Sequence, residues 1–297
     1  MNVADIIDAA DARVADFREL RDADVRPERR GVVIAEGLNV VARLLASPYP
    51  VRAVFGVPAR LRALAELVPP ARLAGVPVLR AGKDLLSQVA GFPVTRGVLA
   101  AAGRLAEPPL PPLLAGAGGV LVCEAINDFE NLGAIFRNAA AFGVRAVLLD
   151  PRTADPLYRR SVRVSMGYAL TVPFARLPGH WPESLGVLRQ AGFTLAALSP
   201  AGEQSLTQWT TGWSEPSGSA GSAQRAAGSA QQFGQQPGPR WALLLGAEGP
   251  GLSPAALAAA AVRLRIPMAP GVDSLNVATA AAVALAHLAH LSLGEPN

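Results

Sequence analysis

Residues 120–149 read VLVCEAINDFENLGAIFRNAAAFGVRAVLL. Val120–Glu124 opens the stretch as an unbroken apolar run that ends on a glutamate. A short run without alternation is what a strand buried on both faces requires. Leu132–Phe142 then reads as a helix, and Ala146–Leu149 is a second short apolar run. Strand, helix and strand in succession predict a parallel pair joined by a crossover helix.

Working outward toward the C-terminus, the same grammar continues. Leu170–Phe174, Thr194–Ala197 and Trp241–Leu245 read as further strands, with helical segments such as 182–191 between them. The expected architecture is an α/β fold with a mostly parallel sheet covered on both faces. A long Ala-rich helix starts near Leu275. Residues 214–239 interrupt this unit with Ser, Gly, Gln and Ala, and read as a surface insertion.

Toward the N-terminus, residues 105–119 are rich in Pro and Gly and read as a linker. Residues 30–104 hold the strand patterns 31–35, Val51–Val57, Gly75–Leu79 and Thr95–Ala101, with a helical pattern over Gly37–Ala46. They predict a small α/β domain. Residues 1–29 are charged with mixed signs and read as a helical extension. The expected division is therefore 1–29, 30–104, the linker 105–119, and a main domain over 120–297.

The chain has 297 residues, of which 51% are hydrophobic and 17% charged, enough apolar surface for a sizeable core and far from a disordered composition. The net charge of +4 is unevenly placed. Residues 1–104 carry 15 Lys+Arg against 11 Asp+Glu, and the remainder 12 against 12. The whole excess lies in the N-terminal third, where it would suit contact with phosphates. Lys83 is the only lysine. Arginine fits bidentate phosphate contacts, although a GC-rich genome produces the same bias. Cys123 is the single cysteine, so no internal disulfide forms, and a reducing compartment, the cytoplasm, is expected. Asp5, Asp8 and Asp11 argue against a secretory leader. Val277–Leu293 is short of a membrane span and contains two histidines, so no membrane association is expected.

Three segments carry the candidate chemistry. The first, Asn127–Gly143, follows a strand and opens a helix, which is where open α/β sheets place ligands. Asn131 there can serve as a simple cap and Arg137 as a solvated helix residue. The second, Leu244–Ser253, contains Gly246, Glu248, Gly249 and Gly251 after an apolar strand. Its G-x-x-G-x-G order matches neither a dinucleotide fingerprint nor a phosphate loop. The third, Leu264–Ala280, runs from a strand end through a Pro/Gly loop into a helix. Asp273 or Ser274 would be its default cap, and Asn276 falls in the first turn, an unusual place for asparagine.

In this order and spacing the three segments resemble the SpoU/TrmH family of RNA ribose 2′-O-methyltransferases, of the SPOUT class. The resemblance covers about 120–293, without 214–239. Residues 30–101, with Ala35-Glu36-Gly37 and Thr95-Arg96-Gly97-Val98, resemble the small L30e-like RNA-binding domain that many members carry. Asp155–Gly167 resembles the family's connecting region and would add Arg159, Arg160 and Arg163 near the cleft. The resemblance implies a C-terminal trefoil knot whose loops hold S-adenosylmethionine, with no metal. Gly246, Ile266 and Leu275 would contact that cofactor, with Met268 and Leu198 as further candidates. It places Arg137 at the ribose hydroxyl, either as general base or as a charge stabiliser. Asn131, Glu248, Ser274 and Asn276 would orient Arg137, the cofactor loop or a substrate phosphate, with Glu248 pairing to an arginine. It also implies a homodimer built on the knot and the last helix. Ribosomal RNA is favoured over transfer RNA. A non-catalytic RNA-binding protein on the same fold is the alternative from a different class.

Overall fold

The computed structural model describes residues 3–20, 31–214 and 240–292. Its strands form two sheets. β1 (Val3–Asp5), β2 (Val32–Glu36), β3 (Val51–Gly56), β4 (Val78–Arg80) and β5 (Val98–Gly103) make a five-stranded sheet in the order β1-β4-β3-β5-β2. β6 (Gly119–Glu124), β7 (Val147–Leu149), β8 (Phe174–Arg176), β9 (Thr194–Leu198), β10 (Gln204–Ser205), β11 (Trp241–Gly246) and β12 (Val262–Arg265) make a seven-stranded one. Its order is β10-β12-β9-β11-β6-β7-β8, and every neighbouring pair is parallel.

The path through the second sheet decides where the site lies. The chain steps from β6 to β7 to β8 at one edge, then crosses back to β9. β11 returns later and inserts between β9 and β6. β6 and β11 are buried at every residue, as their unbroken apolar runs require. The C-terminal ends of β9, β11 and β12 consequently open side by side, with a loop leaving each.

The first sheet is mixed: β5 runs antiparallel to both β2 and β3. One continuous core joins the two sheets. Val40, Val41 and Leu44 of the Leu38–Ala46 helix belong to the same buried cluster as Leu132, Ile135 and Phe136 of the Phe129–Ala141 helix. Polar ties reinforce this seam. Arg159 pairs with buried Glu36 at 2.6 Å, and Arg104 with Asp155 at 2.5 Å. Arg43 stacks on Tyr168 and donates to the Met166 carbonyl.

Three expectations need correction. The helical extension over 1–29 is, in its described part, a strand followed by a single 3-10 helix, Ala12–Phe17. β1 adds to the edge of the first sheet because Ile6, Val14, Phe17 and Leu20 bury against Phe55, Leu86 and Leu99. Residues 21–29 lie outside the described residues, as do 215–239 of the insertion. The linker 105–119 contains the Leu110–Leu114 helix, whose Leu110, Leu113 and Leu114 pack under the second sheet. Its Pro111 sits in the first turn, where no intrahelical N–H is needed, so a Pro-rich string forms a helix here. Finally, the strand expected over Leu170–Phe174 is Phe174–Arg176, preceded by a 3-10 turn at Tyr168–Leu170.

Candidate active site

A cavity of about 520 Å³ opens at the C-terminal ends of β9, β11 and β12. Leu198, Gly246, Ile266, Met268 and Leu275 all line it, together with Glu248, Ser274 and Asn276. The second and third motifs therefore share one cavity, while no residue of Asn127–Gly143 lines it.

Asn276 joins them. Its side-chain amide donates one hydrogen bond to Asn131 Oδ1 at 2.7 Å and another to Glu248 Oε1 at 2.5 Å. Its own Oδ1 accepts from the backbone N–H groups of Ala278 and Thr279. Asn276 is thus the cap of the Val277–Ser292 helix, not a residue within its first turn, and neither Asp273 nor Ser274 has that role. Asn131 is likewise not a cap: Asp128 Oδ1 accepts from the Glu130 and Asn131 N–H groups instead. Capping by Asp128 leaves the Asn131 side chain to face Asn276. Glu248 bonds to an asparagine, where an arginine was expected.

Arg137 is not among the residues lining the cavity. It lies six residues beyond Asn131 on the same helix, roughly 9 Å further along the axis. Leu132, Ile135, Phe136 and Ala139 form that helix's buried face, so Arg137 projects outward, and its side chain makes no hydrogen bond or ion pair among the described residues. The next residue, Asn138, ties the helix to the Ala278 carbonyl at 2.8 Å.

The glycine loop is shaped by contact with itself. A Cβ on Gly246 would lie 2.2 Å from Gly251 C and Leu252 N, so only glycine lets the turn fold back. Glu124, at the end of β6, anchors that turn and was not singled out from the sequence. Its carboxylate accepts from Ser253 N at 2.9 Å, from Trp181 Nε1 at 2.7 Å and from Arg152 at 3.0 Å. The available signal was a carboxylate closing an otherwise apolar strand, since a buried charge needs partners. Asp150 does the matching work after β7, accepting from Ala125 N, Thr153 N and Thr153 Oγ1. Cys123 is fully buried, and burial pushes its thiol well above the usual range, which removes it as a nucleophile.

Among the described residues Glu248 is the one charged side chain that lines the cavity; its other walls are apolar side chains, hydroxyl groups, the Asn276 amide and backbone. Such a site suits an apolar ring and a cationic centre better than a phosphate.

A parallel sheet with a late strand inserted at its centre, and a ligand-sized cavity where the last three loops meet, define a class of open α/β folds that bind a small ligand at their strand ends. Comparison with known proteins gives the family. The SpoU rRNA Methylase family model matches residues 119–286, and the chain belongs to that family. An uncharacterised tRNA/rRNA methyltransferase of Mycobacterium tuberculosis is 47% identical over 287 residues, covering 96% of this chain and 91% of that one. A 23S rRNA guanosine 2′-O-methyltransferase of Bacillus subtilis is 26% identical, covering 94% and 97%. The AdoMet-bound rRNA methyltransferase structure from Sinorhizobium meliloti superposes with a TM-score of 0.73 at 23% identity, covering 97% of each chain. The protein is therefore an RNA methyltransferase of the SpoU family with the α/β fold of its structural neighbours.

Proposed function

We propose that the protein transfers a methyl group from S-adenosylmethionine to a ribose 2′-hydroxyl of ribosomal RNA. The observation that carries this reading is the Asn131–Asn276–Glu248 bridge, which ties the first motif to the two that line the cavity. Relatives named as 23S rRNA 2′-O-methyltransferases support the ribose and the ribosomal target. S-adenosylmethionine would supply a methyl group already activated by its sulfonium charge. The residues present fit it: Leu198, Ile266, Met268 and Leu275 offer apolar walls, and Glu248 a single negative charge. We read the return of β11 between β9 and β6 as part of the family's trefoil knot, and the first sheet as its L30e-like RNA-binding domain.

The hydroxyl is a poor nucleophile until its proton leaves. Arg137 is our candidate for lowering that barrier. A guanidinium remains protonated at accessible pH, so we favour a charged Arg137 that holds the adjacent phosphate and steadies the forming alkoxide. Ser274 would face the incoming ribose. We further read the working protein as a homodimer meeting through the loop 266–276 and the last helix, where Val272 and Leu275 are exposed apolar side chains.

Calorimetric titration with S-adenosylmethionine should give a single-site heat, and wild-type protein should methylate ribosomal RNA at a mappable 2′-oxygen. Arg137→Ala should lose about 10²–10³-fold in methyl transfer, with RNA binding weakened about tenfold at most. An unchanged 2′-O-methyl map in a strain lacking the protein would sink the reading.

A further inference from the structure

A second cavity, of about 320 Å³, lies in the seam between the two sheets. Arg60, Thr95, Arg96 and Asn39 line it from the first sheet's side, and Arg163 and Met166 from the second's. We propose that this cavity holds backbone phosphate of the RNA substrate, making a contact site separate from the methyl-transfer cavity and shared by both sheets. The proposal rests on the function proposed above only for the identity of the RNA as substrate.

The charge around this cavity is uncommitted. Arg60, Arg96 and Arg163 make no side-chain hydrogen bond or ion pair among the described residues. Three other arginines of the seam are engaged: Arg159 with Glu36, Arg104 with Asp155, and Arg43 with the Met166 carbonyl. Glu36 is the one carboxylate lining the cavity, and Arg159 already neutralises it. Three guanidiniums around one cavity repel each other unless an anion joins them.

The same arginines are held in position. Gly37 has φ +97°, and a Cβ there would come 2.8 Å from Arg96 Cδ. Gly97 has φ +69°, and a Cβ there would come 3.1 Å from Arg60 Cγ. Each arginine stem thus lies on a glycine backbone, which holds its guanidinium in place while the charge stays in water. Arg163 is half-buried on the opposite wall. The Leu38–Ala46 helix also begins at the cavity with no side-chain cap, so its first N–H groups add to the positive end.

The chemistry selects the ligand. Guanidinium forks match phosphate oxygens, and among the described residues the lining offers no aromatic ring on which a base could stack. Because Arg163 belongs to the other sheet's side, phosphate bound here would brace the seam as well as hold the RNA.

The test is the salt dependence of binding to a fluorescein-labelled 30-nucleotide RNA. Arg163→Gln and the Arg60→Gln/Arg96→Gln pair should each weaken binding about tenfold and lower the slope of log K against log salt by about 1 for each phosphate no longer neutralised. Arg72→Gln, on the separate Pro70–Leu73 helix, should leave both unchanged. Calorimetry with S-adenosylmethionine reports that the variants are folded. Wild-type affinity and slope in variants with normal cofactor heat would overturn the proposal. Absence of cofactor heat in the wild type would instead count against the methyltransferase reading and leave the salt slopes to decide the phosphate site.

Discussion

The two cavities are made of opposite materials. Among the described residues, the one at the ends of β9, β11 and β12 is walled by leucine, isoleucine and methionine, with one carboxylate and no arginine. The one in the seam is walled by three arginines and a carboxylate that is already paired. The difference follows from what each must exclude. Phosphate entering the first would meet Glu248 and apolar walls, at a cost in desolvation with nothing to offset it. A cationic ligand entering the second would meet like charge. If the two cavities take the ligands proposed for them, charge alone would sort cofactor from RNA backbone before shape is considered.

The contrast holds only while the seam is a fixed frame, and Arg159 tests that most severely. Arg159 and Arg163 sit on one short helix, Arg159–Val164, yet only Arg159 is spent on structure. Its guanidinium lies over the Phe92 ring and against a Glu36 carboxylate that is almost wholly buried. Arg159→Met should cost about 3–5 kcal/mol in chemical denaturation, because Glu36 would be left buried without a cation. The double variant Arg159→Met/Glu36→Gln should recover most of that loss. A single variant costing under about 1 kcal/mol would mean that Glu36 is freely solvated and the seam open.

A smaller effect sharpens the other half of the comparison. Asn276 caps a helix and also bridges Asn131 to Glu248. Asn276→Asp separates the two jobs. Aspartate caps as well as asparagine does, but it has no hydrogens to donate and would set its charge against Glu248. Thermal stability should fall by about 1 kcal/mol or less. Affinity for S-adenosylmethionine should fall about tenfold, roughly the worth of one charge-assisted hydrogen bond. The salt slope for RNA should stay at its wild-type value, since the seam is untouched. Cofactor affinity equal to wild type would show that the bridge plays no part in holding the first cavity.

Much of the apolar cavity was legible in the sequence, because its residues lie at strand ends and in glycine or proline loops, which local patterns mark. Leu198, Gly246, Ile266, Met268 and Leu275 all line one cavity. The seam was legible only as a charge imbalance and as arginines near a cleft. Which arginines are spent on carboxylates depends on contacts between residues as far apart as Glu36 and Arg159. The insertion of β11 between β9 and β6 was hidden for a related reason: periodicity identifies a buried strand and says nothing of its neighbours. Glu124 escaped notice because its partners, Trp181 and Ser253, come from distant loops. Asn131 is not a cap because Asp128, closer to the helix start, takes that place.

The smallest expected effect lies at the far edge of the first sheet and bounds how far a disturbance travels toward the seam. Arg13 holds the Asp11 carboxyl down to about 2, first through its side chain and then through its backbone N–H. Arg80 lowers Asp5 through its side chain alone, by contacts of 2.5 and 2.7 Å. A carboxylate depressed in the folded state contributes its full stability above its ordinary value of 3.8 and loses it as the pH falls toward 2. Both groups are at the surface, so the effect is local and weakened by salt. Between pH 4 and 2, amides of Val3–Asp5 and the Ile6 N–H that bonds to the Arg80 carbonyl should lose exchange protection before those of β6 and β11. At pH 7, Asp5→Asn should loosen the same amides while leaving cofactor and RNA affinity within about twofold, as surface pairs typically do. Simultaneous loss of protection in β1 and β11 would mean that the edge strand opens only with the whole core, and the independence of the two cavities from that edge would have to be abandoned.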